Sequence, residues 1–236
     1  MCRDEFPRIF ELRDLLPTPL PEGVAFPSLD ETSIQFAPKR KFLRDIEAEL
    51  QSLDAVGWAA LKAKLTPLSK KHKTRVLEPL YNILNEAKAY NYLRRIGCTN
   101  IHFIPESKVK SRKTPDLGAD AQGQKVLCDV KTINRSDVEV DRTNSGGVGT
   151  TKEHLDAGFF GKLKSDLEYA KKQMLAYDPD NAMRKIAYVI VNYDDNLHEC
   201  GDLYESQISQ FRANNPIPDL EVEFDIKPPF YTATGV

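Results

Sequence analysis

The feature that most constrains the fold is a hairpin pattern within residues 115–133. Two segments that carry apolar residues flank Gln122-Gly123, and Gly123 can supply the positive φ that a tight turn requires. Counting outward from this turn pairs Asp116 with Asp129, whether the loop has two residues or four. The sequence therefore predicts two antiparallel strands with two aspartates across from each other.

The rest of the chain predicts alternating helices and strands around this hairpin. A helix is expected from near Glu78-Pro79 to about Ile96, because proline suits a first helical turn and Gly97 supplies a C-terminal stop. Periodicity predicts a buried strand at 101–105, a helix at 163–177, an apolar strand at 186–193, a helix through Leu203, Ile208 and Phe211, and a late strand at 221–226. This order predicts an α/β fold with a mixed central sheet of about four to five strands flanked by helices.

Composition and spacing divide the chain into three parts. Residues 1–75 are expected to form a proline-rich arm and a helical lead-in, with a break near Gly57 between two helices. Residues 76–195 are expected to form the core, and residues 196–236 to add a helix and a strand that pack on it. Within the core, residues 134–161 are expected to be a long polar loop.

Charge and cysteine content narrow the function classes. The net charge of −2 argues against a protein that coats nucleic acid through bulk positive charge, and the four cysteines form no CxxC pair that would indicate a zinc site. No run is long and apolar enough for a membrane helix, so a cytoplasmic location without a membrane partner is expected. Basic residues cluster in the middle, where they could contact phosphates or simply be solvated; they are Lys62, Lys64, Lys70, Lys71, His72, Lys73, Arg75, Lys108, Lys110, Arg112 and Lys113.

The paired aspartates indicate a divalent metal. Side chains directly opposite on an antiparallel pair lie about 4.5–5.5 Å apart at Cβ, so Asp116 and Asp129 repel each other unless a cation lies between them. Hard oxygen ligands with open positions for water favour Mg²⁺ or Mn²⁺. Lys131 lies two residues after Asp129, so strand alternation places both side chains on the same face. There the lysine could hold a water molecule or stabilise charge that develops on phosphorus.

Glu86 is a candidate for a further ligand. Its spacing from Ile83 and Tyr90 places the carboxylate at the edge of the buried face of the preceding helix, where an unpaired charge is costly. It could complete the metal shell, or it could be an ordinary flanking glutamate in an ion pair.

This combination of residues resembles the PD-(D/E)xK nuclease superfamily, which has a restriction-endonuclease-like fold. Pro115-Asp116 matches the PD element, Asp129-Val130-Lys131 matches (D/E)xK, Glu86 matches a helix glutamate that many members have, and Gln173 matches a later polar helix residue. The resemblance covers about half of the chain and implies that residues 76–195 form a nuclease core.

Roles for these residues follow from the resemblance. It implies that Asp116, Asp129, Val130 and Glu86 hold Mg²⁺ or Mn²⁺, and that Asp116, Asp129, Glu86 and Lys131 take part in catalysis. Candidate substrate contacts are Lys113, Lys171 and Gln173. The implied activity is metal-dependent endonuclease cleavage of DNA, of a restriction or repair type, and a homodimer is a further expectation.

Three alternatives remain open from the sequence. The same site could cut RNA, or the fold could serve as a noncatalytic nucleic-acid-binding module. The acids could also have no metal, with Asp116 capping the hairpin and Asp129 and Lys131 forming a cross-strand ion network. The sequence contains no GxSxG or HExxH motif that would indicate a different hydrolase.

Overall fold

The computed structural model describes residues 2–15, 37–65, 78–107, 113–134, 153–192 and 197–226. The helices in these ranges are α1 (Cys2–Glu5), α2 (Pro7–Asp14), α3 (Ala37–Gln51), α4 (Ala55–Leu65), α5 (Glu78–Arg95), α6 (Ala157–Tyr177) and α7 (Leu197–Asn214). The strands are β1 (Thr99–Phe103), β2 (Leu117–Ala121), β3 (Gln124–Asn134), β4 (Arg184–Asn192) and β5 (Glu221–Ile226). No helix in the described ranges is long and apolar enough to cross a bilayer.

The described strands form one five-stranded sheet in the order β1-β2-β3-β4-β5. β2 and β3 are joined by a two-residue turn in which Gln122 and Gly123 both have positive φ, 49° and 83°. This is the turn type that suits a tight hairpin. β3 pairs with β4 in parallel, and β4 pairs with β5 in parallel. The predicted α/β fold, with a mixed sheet flanked by helices and an N-terminal helical lead-in, is confirmed.

The chain divides into two compact units. The first contains the chain up to Phe103 together with Ala119–Gln122, and the second contains Ile104–Gly118 and the described chain from Gly123 onward. The first unit therefore holds α1 to α5, and the second holds β3, α6, β4, α7 and β5. The three-part division expected from composition stays a prediction.

In the first unit, α2 is capped by a residue that is distant in sequence. Phe6 precedes the helix and offers no side-chain cap, whereas the buried Glu47 on α3 accepts hydrogen bonds from the backbone N–H of Arg8 at 3.0 Å and of Ile9 at 2.9 Å. These are two of the N–H groups that a helix start leaves without intrahelical partners. A carboxylate is also favoured by the helix dipole there. Glu47 thus fixes α2 on α3.

Replacing Glu47 with Ala is expected to lower the free energy of unfolding by about 1–3 kcal/mol, because two N–H groups lose a charged acceptor. Urea unfolding followed by circular dichroism measures the change. Asp45→Ala, at an exposed position on the same helix, is the control and should cost less than about 0.5 kcal/mol. An equal loss in both variants would contradict the capping role of Glu47.

In the second unit, α6 covers one face of the sheet. Odd-numbered residues of the two central strands share a core with the apolar side of α6; they are Leu127, Ile133, Ala187, Val189 and Val191, with Phe159, Leu163, Leu167, Ala170 and Met174 on the helix. Since side chains alternate along a strand, Asp129 and Lys131 lie on the same face as Leu127 and Ile133. Both candidate residues therefore face α6.

Two helices begin a few residues earlier than predicted, for the same reason. The break expected near Gly57 is present at residues 52–54, and Gly57 itself lies in the first turn of α4, where Asp54 Oδ1 accepts a hydrogen bond from its N–H at 2.6 Å. The polar loop was expected to run to residue 161, but α6 begins at Ala157 because Asp156 Oδ1 accepts a hydrogen bond from Phe159 N–H at 2.8 Å. In each case an aspartate cap begins the helix earlier. The rest of the predicted loop, residues 135–152, lies outside the described residues.

Two smaller differences concern burial. β1 begins at Thr99, and only Phe103 in it is buried, so the strand is not the buried one expected at 101–105. Among the α7 side chains that the structure describes, Tyr204 and the predicted Ile208 are buried, whereas Leu203 is exposed. The predicted Phe211 is half-buried against the same core, so the difference is that Tyr204 is buried where Leu203 was expected.

Candidate functional site

Asp129 is the centre of the candidate site. Its side chain is buried on β3, and the amide Nε2 of Gln173 on α6 donates a hydrogen bond to Oδ1 at 3.0 Å. Lys131 Nζ lies 2.5 Å from Oδ2 and forms an ion pair with it. Lys131 is thus the counterion of Oδ2, and no other described residue donates a hydrogen bond to that oxygen. A buried carboxylate needs such a cation, and the negative charge of Asp116 beside it adds to the cost of ionising it.

Asp116 lies against the same stretch of β3. Its backbone N–H donates to the carbonyl oxygen of Cys128 at 3.1 Å, and its carboxylate Oδ2 accepts from the N–H of Val130 at 2.8 Å. The backbone bond is one residue away from the predicted direct pairing of Asp116 with Asp129. The two carboxylates nevertheless interact, and the predicted juxtaposition is present in the structure.

The protonation of Asp129 depends on its burial and on the neighbouring Asp116. Burial raises the pKa of Asp129, and the negative charge of Asp116 raises it further. Lys131 opposes both effects through its positive charge, and the pKa of Asp129 is about 7. Without a further cation, the site therefore holds two neighbouring carboxyl groups of which one retains its proton to near neutral pH.

Lys131 is held between the acid and an aromatic ring. Its side chain is 17% exposed, and Nζ lies 5.3 Å from the ring centroid of Tyr169 on α6. Asp129 contacts Gln173 on α6, and Lys131, two residues later on β3, contacts Tyr169. Tyr169 lies one helical turn before Gln173 in the sequence. The helix thus runs opposite to the strand, and one helical turn matches the two-residue step between acid and lysine.

Gln173 on α6 donates hydrogen bonds to groups beside both acids. It is nearly buried, and Nε2 donates to the backbone carbonyl of Thr114 as well as to Asp129. Thr114 lies two residues before Asp116. One amide group therefore holds both the segment that leads into Asp116 and the side chain of Asp129. Gln173 was predicted as a weak substrate contact, and in the structure its amide contacts protein groups of the site.

The other predicted residues have different surroundings. Glu86 lies in the first unit, where its carboxylate accepts from Lys64 on α4, so the ion-pair alternative has direct support while its role as a metal ligand stays a prediction. Lys171 donates to the carbonyl of Pro218 at 2.6 Å. Lys113 is exposed and lies over Tyr169. The basic residues at 70–75 and 108–112 lie outside the described residues.

The donor set of the second unit fits a divalent cation. It offers carboxylate oxygens from Asp116 and Asp129, including the buried Oδ2 of Asp129, whose described partner is Lys131. Hard oxygen donors of this kind suit Mg²⁺ or Mn²⁺, which retain water in their shells. Within the described ranges there is no group of three or more His, Cys, Asp or Glu side chains that could hold a metal, so a cation here would depend on two acids and water.

Sequence reasoning missed Tyr169 and Thr114. Tyr169 is one of several aromatic residues on an amphipathic helix, and its contact with Lys131 depends on how α6 lies on the sheet. Thr114 acts through its backbone carbonyl, which carries no residue-specific signal. A helical wheel would have placed Tyr169 one turn from Gln173, and this is the signal that could have identified it.

Comparisons with known proteins give this chain no relatives: no family model, curated protein or solved structure matches it. A function for this chain is therefore inferred from the geometry of the second unit and from the sequence resemblance.

Proposed function

We propose that the protein is a magnesium-dependent endonuclease of the PD-(D/E)xK type that hydrolyses phosphodiester bonds in DNA. The observation that carries this proposal is the buried Asp129, which has the carboxylate of Asp116 beside it and Lys131 in contact with one oxygen, where no other described residue donates a hydrogen bond. Such an arrangement is unfavourable for a purely structural ion network, because the negative charge of Asp116 opposes ionisation of the buried Asp129. It becomes favourable when a divalent cation is added.

The metal would be held by Asp116 and Asp129, with Val130 as a further ligand on the ground of the resemblance. A bound Mg²⁺ would lower the pKa of its water and offset the negative charge of the phosphate. Asp116 is suited to this role because its backbone is fixed by Cys128 and Ile104 and one carboxylate oxygen by Val130. Asp129 is suited because Gln173 fixes its other oxygen.

Lys131 is the positively charged side chain that the protein itself supplies at the proposed site. Its ammonium group can donate hydrogen bonds to a phosphate oxygen and stabilise the negative charge that develops as water attacks phosphorus. Asp129 holds this group through the ion pair, and Tyr169 holds it from the helix side. A lysine fixed from two sides loses little freedom on meeting the substrate, which favours the transition state.

DNA is proposed as the substrate on the ground of the resemblance. One cleavage experiment distinguishes this proposal from RNA cleavage and from noncatalytic binding. Purified protein is incubated with labelled double-stranded DNA, single-stranded DNA or RNA in Mg²⁺, Mn²⁺ or EDTA. Wild type is expected to cut DNA internally in either metal and not in EDTA. If the protein cuts RNA alone, RNA replaces DNA as the proposed substrate. Binding without cutting would support the noncatalytic module.

Lys131→Ala is expected to lower kcat about 100- to 1000-fold, because one preorganised charge at the reacting phosphate is lost. Asp129→Asn should be at least as severe. The matched control is Lys172→Ala, which removes an exposed lysine from α6 next to Gln173 and should cut at the wild-type rate. All four proteins are purified in parallel. Equal residual rates in wild type and Lys131→Ala would indicate a contaminating nuclease and contradict the proposal.

A further inference from the structure

Two lysines from different parts of the second unit meet at one tyrosine ring. Nζ of Lys113, in the segment before β2, lies 5.3 Å from the centroid of the Tyr169 ring, and Nζ of Lys131 on β3 lies at the same distance. The two ammonium groups are therefore no more than about 11 Å apart. Tyr169 is 43% exposed, so the pair of charges is close to solvent.

The position of Lys113 is not explained by an ion pair or a hydrogen bond with the described residues. Among the residues that the structure describes it forms no ion pair and no hydrogen bond, and its contact is with the ring. Lys131, in contrast, has Asp129 as a counterion. An aromatic ring attracts cations through its quadrupole but carries no net charge, so the charge of Lys113 remains available to an anion.

We propose that Lys113 and Tyr169 form a second phosphate subsite, which binds the phosphate next to the one that is cleaved. This inference rests on the proposed function, in which Lys131 serves the cleaved phosphate. Tyr169 acts as a positioning residue that keeps both ammonium groups beside the strand, and Lys113 contacts the neighbouring phosphate. We name the pair the Lys113–Tyr169 subsite.

The subsite defines a class of substrate. A polynucleotide carries one negative charge on every phosphate, so a bond inside a strand always has a charged neighbour. A small phosphodiester such as bis(p-nitrophenyl) phosphate has none. The subsite therefore favours an internal bond of a nucleic acid strand over an isolated phosphodiester, and it contributes to binding even when no metal is present.

The first test measures binding in EDTA. Fluorescence anisotropy of a labelled oligonucleotide is recorded as a function of salt for wild type, Lys113→Gln, Tyr169→Leu, Tyr169→Phe and Lys172→Ala. Neutralising one phosphate contributes about 0.7 to the slope of log K against log salt for a single strand and about 0.9 for a duplex. Lys113→Gln is expected to lose this amount of slope, while Lys172→Ala should retain the wild-type slope.

Tyr169→Leu separates a positioning role from a merely structural one. It removes the ring but keeps an apolar side chain, and it is expected to lower affinity about 2- to 30-fold. Tyr169→Phe keeps the ring, and the Tyr169 hydroxyl forms no hydrogen bond with the described residues, so affinity should be retained. Lys113→Gln should have a smaller effect in the Tyr169→Leu background than in wild type, because the ring acts through the lysine.

The second test measures preference in Mg²⁺. The ratio of kcat/KM for an oligonucleotide to kcat/KM for bis(p-nitrophenyl) phosphate should fall about 10-fold in Lys113→Gln, as expected for one lost phosphate contact. An unchanged ratio with an unchanged salt slope, in a wild type that cuts DNA, would overturn the subsite and leave the nuclease proposal intact. A wild type that neither binds nor cuts nucleic acid would overturn both.

Discussion

Asp129→Asn is expected to make the metal-free protein more stable than wild type at pH 8, by up to about 4 kcal/mol. The pKa of Asp129 is raised from its ordinary value of 3.8 to about 7, chiefly by burial and then by the charge of Asp116. The folded state thus binds this proton more tightly than the unfolded state. Its contribution to stability is present below about pH 4 and is lost as the pH rises to about 7. Asparagine has no proton to lose.

The measurement is urea unfolding of both proteins in EDTA between pH 4 and pH 8. The two stabilities should be similar at pH 4 and diverge toward pH 8, while Asp180→Asn, on an exposed turn, should follow wild type. Addition of Mg²⁺ at pH 8 should stabilise wild type more than Asp129→Asn, because the ion binds the ionised pair. Parallel pH curves for wild type and Asp129→Asn would contradict the raised pKa.

Lys185→Met is expected to destabilise the protein by about 3–5 kcal/mol. Lys185 on β4 is fully buried, and its Nζ donates to Asp178 Oδ2 and to the carbonyl of Met183, each at 2.9 Å. Burial alone would raise the pKa of Asp178, but the hydrogen bonds from Lys185 and the Met183 N–H lower it below its ordinary value. Removing the lysine leaves a carboxylate buried without its counterion.

Thermal and urea unfolding would measure this loss, with Arg184→Ala as the matched control. Arg184 precedes Lys185 on the same strand but pairs with Glu221 at the surface, and loss of such a pair costs at most about 1 kcal/mol. Asp178→Asn combined with Lys185→Met should be less destabilising than the two single losses added together. Additive losses would indicate that the two groups do not stabilise each other.

Local signals explain what could be predicted from the sequence. The turn at Gln122-Gly123 and the alternation around Asp129 are properties of a few neighbouring residues, so the hairpin and the face of Lys131 were predictable. The position of Asp116 was predicted to within one residue. That offset arises where the strand begins, beyond the reach of the turn geometry.

Tertiary contacts explain what could not. Asp54 and Asp156 are common residue types, and their role as caps becomes evident only when the following backbone is helical. Lys185 lies at the start of an apolar strand, but its partner Asp178 belongs to the end of the preceding helix. The contacts of Tyr169 with Lys113 and Lys131 require α6 to lie on the sheet in one register, which no short stretch of sequence encodes.

The parallel pairing of β3 with β4 has a kinetic consequence. The β2–β3 hairpin can close within its own few residues, but β3 meets β4 through pairs such as Val126 with Arg184, which are 58 residues apart. Closing so long a loop is slow compared with forming a hairpin. We therefore expect Asp116 and Asp129 to approach each other early and in water, and to be enclosed by α6 only late in folding. A refolding experiment should find the site among the last parts of the protein to exclude solvent.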